Sequence, residues 1–307
     1  YDILVIDEAH YLADTTTIRY KQLSENIKSR DRVVLLSGYP VENRLSEIYV
    51  VSLISDVLGK NWFHFLYTYF NVIKKNNRII KTIPKLGSTA KIIKLVKPFV
   101  WVSDKAKFFN KPIKKEILIV RFELSDYQKN IINSLRENFM YRDELISIHC
   151  KNELVVFQKL MQIISGFIYE IDDNKEINPK FFNDNPKLKL LEDIVKNKHN
   201  FLLWCLYDAE ETILRKFSNQ CRISKLQVDS RGLNLQHYKF AVYFTLPLSG
   251  GQFLQSMDRV YRIGRTEDVI SVVLLPNGEF GDRMAKMVND KHNLTKKFIH
   301  ELLYCKV

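Results

Sequence analysis

The chain has 307 residues, of which 46% are hydrophobic and 27% are charged, and its formal net charge is +12 at pH 7. This composition is typical of a soluble globular protein with one or two cores. No apolar run reaches the ~18–20 residues of a membrane span, and nothing resembles a signal peptide. We therefore expect no membrane association.

The excess of positive charge favours a polyanionic partner, and nucleic acid is the usual one. The alternative is a lysine-rich bias of the gene with no specific meaning. Four cysteines are widely scattered along the chain. Their spacing fits neither a zinc site nor a disulfide framework, so we expect reduced thiols. The expected location is intracellular (cytoplasm, nucleus or a viral replication site), without secretion.

The first ten residues carry the clearest chemical signal. The apolar run Ile3–Ile6 predicts a buried strand of a parallel sheet, and Asp7 and Glu8 follow it directly. Such sheets place their chemistry at the carboxyl ends of the strands. In nucleotide hydrolysis a carboxylate there holds Mg²⁺, and a neighbouring acid can align the attacking water. The alternative is a helix N-terminus with acids near its dipole.

Two further elements follow the acidic pair. A short helix is expected to end near Lys28, and Arg32–Leu36 predicts a second buried strand. Beyond that strand, Gly38 and Pro40 enforce a tight, rigid loop. Helical spacing of apolar residues resumes at Leu45.

The next stretch is rich in aromatic and then in basic residues. The aromatic run 61–75 fits an amphipathic helix packed in a core, with a base-stacking platform as the alternative. Lysines dominate residues 74–115, which prolines interrupt. We expect an insertion between strands over about 59–115, within the first lobe, that forms an exposed basic lobe. The alternative is a solvated surface without a ligand.

A second set of strands and helices follows. The residues 117–124 predict a strand, and Ser125 with Gln128 forms a capping-box pattern. Asn185 and Pro186 fit the N-cap and first position of a later helix. Further strands are expected at 201–206, 223–228, 240–244 and 269–275, with helices at 209–217, 252–264 and 279–303.

This alternation predicts an α/β fold with two parallel-sheet lobes. We expect the C-terminal part of a first lobe at 1–124 and a helical connection at 125–184. A second, shortened lobe would span 185–275, and a helical extension would span 276–307.

Four segments, in order and spacing, resemble motifs II, III, V and VI of superfamily-two helicases: Asp7–His10, Ser37–Asn43, Arg231–Leu235 and Gln255–Gly264. The resemblance is strongest to the Swi/Snf branch of double-stranded-DNA translocases, including annealing-helicase and phage-type relatives. Motif III resembles the branch's Leu-Thr-Gly-Thr-Pro-x-x-Asn rather than Ser-Ala-Thr.

Three shorter matches support that branch. Lys97–Val100 resembles the family's Arg-Pro-Phe-Met, and Leu124–Gln128 resembles its Leu-Thr-x-x-Gln. Arg262–Arg265 resembles Arg-Ile-Gly-Gln. The resemblance implies two RecA-like lobes, the first incomplete at its N-terminus, with ATP and Mg²⁺ as cofactors.

For the first lobe, the resemblance also implies residue roles. Asp7 would hold Mg²⁺ and Glu8 would polarise the attacking water. His10 and the loop residues Ser37, Gly38 and Asn43 would couple the nucleotide site to the nucleic-acid track.

In the second lobe, Arg259 and Arg262 are three residues apart, a spacing that points both the same way on a helix. The resemblance implies that they reach across to the γ-phosphate. Arg262 is the expected arginine finger. Gln255 and Gly232 would join the nucleotide contacts. The expected contacts to the nucleic-acid backbone come from Ser230, Arg231 and Asn234. Duplex DNA is the expected partner; the residues name no protein partner.

The sequence also departs from the family pattern. No Gly-x-x-x-x-Gly-Lys-Ser/Thr loop occurs. In the family this loop precedes motif II, so we expect a truncated chain that does not hydrolyse ATP alone. Two other functions stay open. One is a viral-type nucleoside triphosphatase acting in transcription, and the other is a non-hydrolysing nucleic-acid-binding or scaffold module.

Overall fold

A computed structural model describes residues 3–27, 32–38, 41, 44–76, 78–101, 113–171, 176–229, 233–247 and 250–286. The described residues divide into two compact units, with the boundary at Asp104 and Lys105. Each unit has hydrophobic cores of its own.

The first unit begins with a parallel pair of strands. Strands β1 (Ile3–Ile6) and β2 (Arg32–Leu35) lie side by side with Ile3 opposite Arg32. The connection runs through a 3-10 helix (Ala9–Leu12) and helix α1 (Ile18–Ile27). A parallel pair requires such a crossover, because a tight turn can only join antiparallel strands.

The two faces of this small sheet differ. Alternate side chains, including Leu4 and Val33, pack on a core that contains Leu12 and Ile27. The opposite face is apolar and exposed, through Ile3, Val5, Val34 and Leu36. This alternation follows from the two-residue period of a strand.

The rest of the first unit is built around a separate core. Its elements are 3-10 helices Leu45–Leu53 and Asp56–Leu58, helix α2 (Trp62–Tyr69), strands β3 (Phe70–Lys75) and β4 (Arg78–Pro84), helix α3 (Ser88–Val96) and 3-10 helix Lys97–Phe99. Strands β3 and β4 form an antiparallel hairpin.

One expectation for this region is wrong. The aromatic run 61–75 is not one helix, because β3 begins at Phe70 directly after α2. The basic insertion is exposed through most of its described lysines, and it also contributes to the core of the first unit. Phe65, Phe70 and Ile92 from the insertion share one core with Ile48. Part of the apolar surface of the insertion is therefore buried in the unit, while other apolar side chains, such as Leu86 and Trp101, are exposed.

The second unit opens with strand β5 (Lys115–Phe122), followed by helices α4 (Asp126–Asn138) and α5 (Glu153–Ile164). Two hairpins accompany them: β6 (Met140–Arg142) with β7 (Ser147–His149), and β8 (Phe167–Ile171) with β9 (Ile177–Phe181). The expected connection at 125–184 is thus only partly helical.

The remaining elements are α6 (Pro186–Val195), β10 (Phe201–Cys205), α7 (Asp208–Leu214), β11 (Cys221–Lys225), β12 (Phe240–Tyr243), α8 (Gly250–Val260) and β13 (Val269–Pro276). Five strands form one parallel sheet in the order β11-β10-β12-β13-β5. Cores on both faces cover this sheet. The expected α/β class is confirmed.

The expected lobe boundary near residue 184 is wrong. Strand β5, expected to close the first lobe, pairs with β13 along its whole length, from Lys115 opposite Val269 to Phe122 opposite Pro276. The partners lie far apart in sequence, so no local pattern reports which sheet a strand joins. With β5 at its edge, the second sheet has five strands.

Several local predictions are confirmed. Ser125 and Gln128 form a capping box at the start of α4, and the Gln128 amide also donates to the Ile163 carbonyl at 2.7 Å. Asn185 caps α6 by accepting from Leu188 N at 3.1 Å, with Pro186 in the first turn. Among the described residues, no helix is both long and apolar enough to cross a membrane.

Candidate functional site

The acidic pair lies on a turn that the small parallel sheet fixes. Leu36 N donates to Ile6 O at 2.8 Å, and Ala9 N donates to Leu36 O at 2.8 Å. These bonds attach both sides of the Asp7–Glu8 turn to the segment that follows β2. Glu8 is left-handed, with φ 51° and ψ 45°, a conformation that few residues with side chains adopt. Such strained residues cluster at functional sites.

His10 connects this turn to the end of β2. Its ring is buried, and its Nδ1 lies 3.0 Å from Ser37 Oγ and 3.2 Å from Glu8 Oε2. The ring of Tyr11 is 4.2 Å away, centroid to centroid. The structure therefore brings together three predicted residues from the ends of two strands. Gly38 is exposed, whereas Asn43 lies outside the described residues.

A cavity of about 370 Å³ opens beside the acids. Asp7 and Glu8 line one side, and Arg19, Gln22 and Asn26 of helix α1 line another. Sequence analysis missed these three helix residues. Their spacing of three and four was the available signal, because such positions share one helix face.

The carboxylates suit a hard cation such as Mg²⁺. Among the described residues, no group of three or more His, Cys, Asp or Glu side chains could hold a metal ion. Mg²⁺ commonly binds through one or two carboxylates, with phosphate and water oxygens completing its octahedron. Asp7 and Glu8 therefore fit Mg²⁺ carried with a nucleotide rather than a closed protein site.

In the second unit, the predicted arginines belong to α8 and the turn after it. Gln255 is buried on the helix, and Arg259 is half-buried near its end. The helix stops at Val260, so Arg262 lies beyond it. The expectation of one shared helix face is wrong, because the chain turns at 261–264, where Gly264 adopts φ 94°.

A buried arginine holds this turn in place. Arg265 is 6% exposed. Its guanidinium donates to the carbonyls of Tyr238 at 2.9 Å and Asp268 at 3.0 Å, and also to that of Gln236. Its Nε donates to Glu267 O at 2.6 Å. The Val260 carbonyl accepts a further bond from the guanidinium at 3.4 Å. Sequence analysis recognised Arg265 only as the end of a motif. No sequence signal shows that five carbonyls converge on it.

The motif V segment contacts α8 through its backbone. Leu235 N donates to Arg259 O at 3.2 Å. The neighbouring Asn234 is exposed, and its Oδ1 accepts from Gln236 N at 3.3 Å. The structure thus brings Asn234 close to the end of α8. The other predicted residues of this segment, Ser230, Arg231 and Gly232, lie outside the described residues.

A buried polar cluster lies after the carboxyl ends of the same sheet. Lys187 Nζ is 2.7 Å from Thr245 Oγ1 and 3.1 Å from Ser165 Oγ. Thr245 donates to Glu210 Oε1 at 2.5 Å. Burial lowers the pKa of Lys187 to about 8, against the opposing effect of the Glu210 carboxylate. Sequence analysis missed the cluster, because Asn185-Pro186-Lys187 indicated only a helix start.

Comparisons with known proteins add one family and several relatives. The protein-family model described as "SNF2-related domain" matches residues 1–169. The CHD3-type chromatin-remodeling factor CHR7 of Arabidopsis thaliana is 25% identical, over 94% of this chain. The SWI/SNF-related matrix-associated actin-dependent regulator of chromatin subfamily A-like protein 1 of Xenopus laevis is 22% identical, over 95%.

A bacterial relative is also similar. The uncharacterized ATP-dependent helicase YqhH of Bacillus subtilis is 20% identical, over 98% of this chain. The chain spans 26% of the Arabidopsis relative, 32% of the Xenopus relative and 60% of the bacterial one.

Proposed function

This chain belongs to the family of SNF2-related domains, and on that premise we propose that it is part of an ATP-dependent translocase that moves on duplex DNA. The observation that carries the proposal is the acidic turn after β1. There, Glu8 and Ser37 both contact the buried His10 ring. A contact of this kind can connect a nucleotide-binding turn with the next strand end.

The proposed roles use this chain's own side chains. Asp7 ligates Mg²⁺, and Glu8 orients and polarises the attacking water. When bound, ATP would supply the phosphoanhydride bond that is broken, and its Mg²⁺ would neutralise part of the phosphate charge. The Arg262 guanidinium stabilises negative charge that develops on the transferred group, and Arg259 assists it.

The remaining roles concern coupling and nucleic-acid binding. His10, Ser37, Gly38 and Asn43 transmit the state of the nucleotide site, and Gln255 and Gly232 contact the nucleotide. The predicted backbone contacts come from Ser230, Arg231 and Asn234. The names of the relatives, which include chromatin-remodeling factors and an ATP-dependent helicase, support duplex DNA and an intracellular location.

The test is ATP hydrolysis by the full-length protein, with and without a 30-base-pair duplex. We expect stimulation by the duplex and at least a 100-fold loss in Glu8→Gln, because a positioned acid–base group contributes about 10²–10⁴-fold. Glu25→Gln is the matched control, since Glu25 is an exposed residue of α1 in the same unit. It should retain full activity.

Three other results would overturn the proposal. Unchanged hydrolysis in Glu8→Gln would remove the assigned chemistry. Stimulation by single strands alone would favour the viral-type nucleoside triphosphatase. Nucleic-acid binding without hydrolysis in the full-length protein would favour the scaffold module.

A further inference from the structure

The hairpin β3–β4 lies in a long stretch that has no acidic residue. Residues 57–103 contain nine Lys or Arg and neither Asp nor Glu. No acidic residue within the stretch balances this charge, although Lys60 pairs with Asp56, which lies just before the stretch, at 3.2 Å. Most of these basic side chains are exposed.

The strand register places three of these cations on one face of the hairpin. Lys75 lies directly opposite Arg78, and Lys81 lies opposite Ile73. All of these side chains are exposed, Ile73 by 42%. None of the three cations has a carboxylate partner among the described residues. This set, Lys75, Arg78 and Lys81, is the outer basic face.

The opposite face of the hairpin is occupied. Val72 and Ile79 pack on the core of the first unit. Lys74 also leaves the outer face, since its Nζ lies 5.2 Å from the centre of the Tyr67 ring. The hairpin is thus held by its inner side, and its outer basic face stays available.

The pairing of Lys75 with Arg78 across the hairpin is electrostatically unfavourable unless a negative ligand binds. Like charges directly opposite each other destabilise a strand pair, and Lys75 with Arg78 is such a pair. Proteins tolerate unfavourable surface electrostatics where a partner of opposite charge relieves it. A two-stranded ribbon has dimensions that the major groove of B-DNA admits, with phosphates on both sides.

We propose that the outer basic face binds the phosphate backbone of duplex DNA, as a second contact surface distinct from the motif V segment. The inference rests on the proposed function for its choice of partner. Contacts through Lys and Arg to phosphate are independent of base sequence and weaken as salt increases.

The experiment measures the dissociation constant of the 307-residue chain for a fluorescent 30-base-pair duplex from 50 to 200 mM salt. In the triple variant K75Q/R78Q/K81Q the slope of log K against log salt should become shallower by about 2.7, at ~0.9 per phosphate contact. Over that fourfold salt range, binding of the unmodified chain should weaken about 40-fold more than binding of the variant.

The matched control is K189Q/K216Q/K239Q, which changes the net charge equally. Each of its lysines is at least 44% exposed and pairs with a carboxylate. We expect its salt slope to equal that of the unmodified chain. Thermal unfolding checks the fold, and the triple variant should unfold no earlier than the unmodified chain, because it loses a like-charge pair.

The outcomes separate this inference from the proposed function. Suppose that the unmodified chain binds DNA normally and that the slope of log K against log salt is unchanged in the triple variant. This result overturns only the proposal that the outer basic face binds DNA. Equal loss in both variants also overturns it, because net charge would then suffice. No binding of any nucleic acid by the unmodified chain or the full-length protein overturns both. Binding of an acidic peptide in place of DNA assigns the face to a protein partner and overturns it as well.

Discussion

The acidic turn of the first unit and the arginine segment of the second are held by different means. The turn with Asp7 and Glu8 follows a two-stranded sheet that is exposed on one face. Backbone bonds to Leu36 and one buried histidine fix it. The segment that carries Arg262 connects α8 with β13, a strand of a five-stranded sheet that is covered on both faces.

The difference lies in where the polar contacts are buried. In the second unit the guanidinium of Arg265 is surrounded by carbonyls, and Lys187 is enclosed by hydroxyls near Glu210. At the acidic turn of the first unit the ring of His10 is buried, and Glu8 remains partly exposed. We therefore expect the arginine segment to depend on buried polar groups and the acidic turn to depend mainly on strand register.

The largest expected effect separates chemistry from stability in the second unit. Arg262→Ala in the full-length protein should lower ATP hydrolysis about 1000-fold, because arginine fingers contribute ~10³–10⁵-fold. The free energy of unfolding should not change, since Arg262 lies outside the helix. Rates of ATP hydrolysis check the first expectation, and urea unfolding checks the second. Arg283→Ala is the control, because Arg283 is exposed and pairs with Glu279 within one helical turn.

The second prediction concerns the stability of the second unit rather than ATP hydrolysis. Arg265→Met should lower the free energy of unfolding by about 3 kcal/mol, because it leaves several buried carbonyls without donors, at ~1–3 kcal/mol each. Trp204 reports on the second unit when Trp62 and Trp101 are changed to Phe. Urea unfolding followed by its fluorescence gives the value. If Arg265→Met lowers the free energy of unfolding by less than Arg283→Met does, the structural role of Arg265 is contradicted.

The third effect uses pH to test the polar cluster. Lys187 titrates near pH 8 when folded, below its ordinary 10.5, so the unfolded chain binds more protons between these values. Stability due to this group should therefore rise with pH, by about 1.5 kcal/mol from pH 8 to 9.5.

Lys187→Met is the reference, and only the difference between the two proteins is informative. Burial raises the pKa of Cys205 and Cys221 to about 12, so these thiols keep their protons in the folded state and lower stability above pH 9. They do so equally in both proteins. A constant difference from pH 8 to 9.5 would contradict the titration of Lys187.

The smallest effect concerns the acidic turn. His10→Ala and Ser37→Ala, alone and combined, form a double-mutant cycle on the 3.0 Å contact between them. We expect a coupling energy of about 1 kcal/mol, as for an ordinary hydrogen bond. Urea unfolding of the four proteins gives the coupling. Additive losses would mean that the contact does not fix the turn.

The sequence allowed prediction of features that depend on neighbouring residues. The strand before Asp7, the capping box at Ser125 and the start of α6 at Pro186 follow from local patterns. The proximity of His10 and Ser37 follows from the rule that parallel strands end at one sheet edge.

Long-range relationships could not be predicted. The pairing of β5 with β13 depends on partners about 150 residues apart. The carbonyls around Arg265 and the hydroxyls around Lys187 converge only in the folded chain, and a buried Lys or Arg has the same sequence signature as an exposed one. The carbonyl of Val260, the last residue of α8, accepts from the same Arg265 guanidinium at 3.4 Å, a contact that no local pattern reports.

One consequence of the left-handed backbone at Glu8 concerns how a sequence can change there. Glycine adopts φ 51° readily and most other residues do not. A mutation to glycine would therefore suit the turn while removing the carboxylate. At this position the backbone conformation favours glycine, whereas the proposed hydrolysis requires a carboxylate, so the two requirements favour different residues.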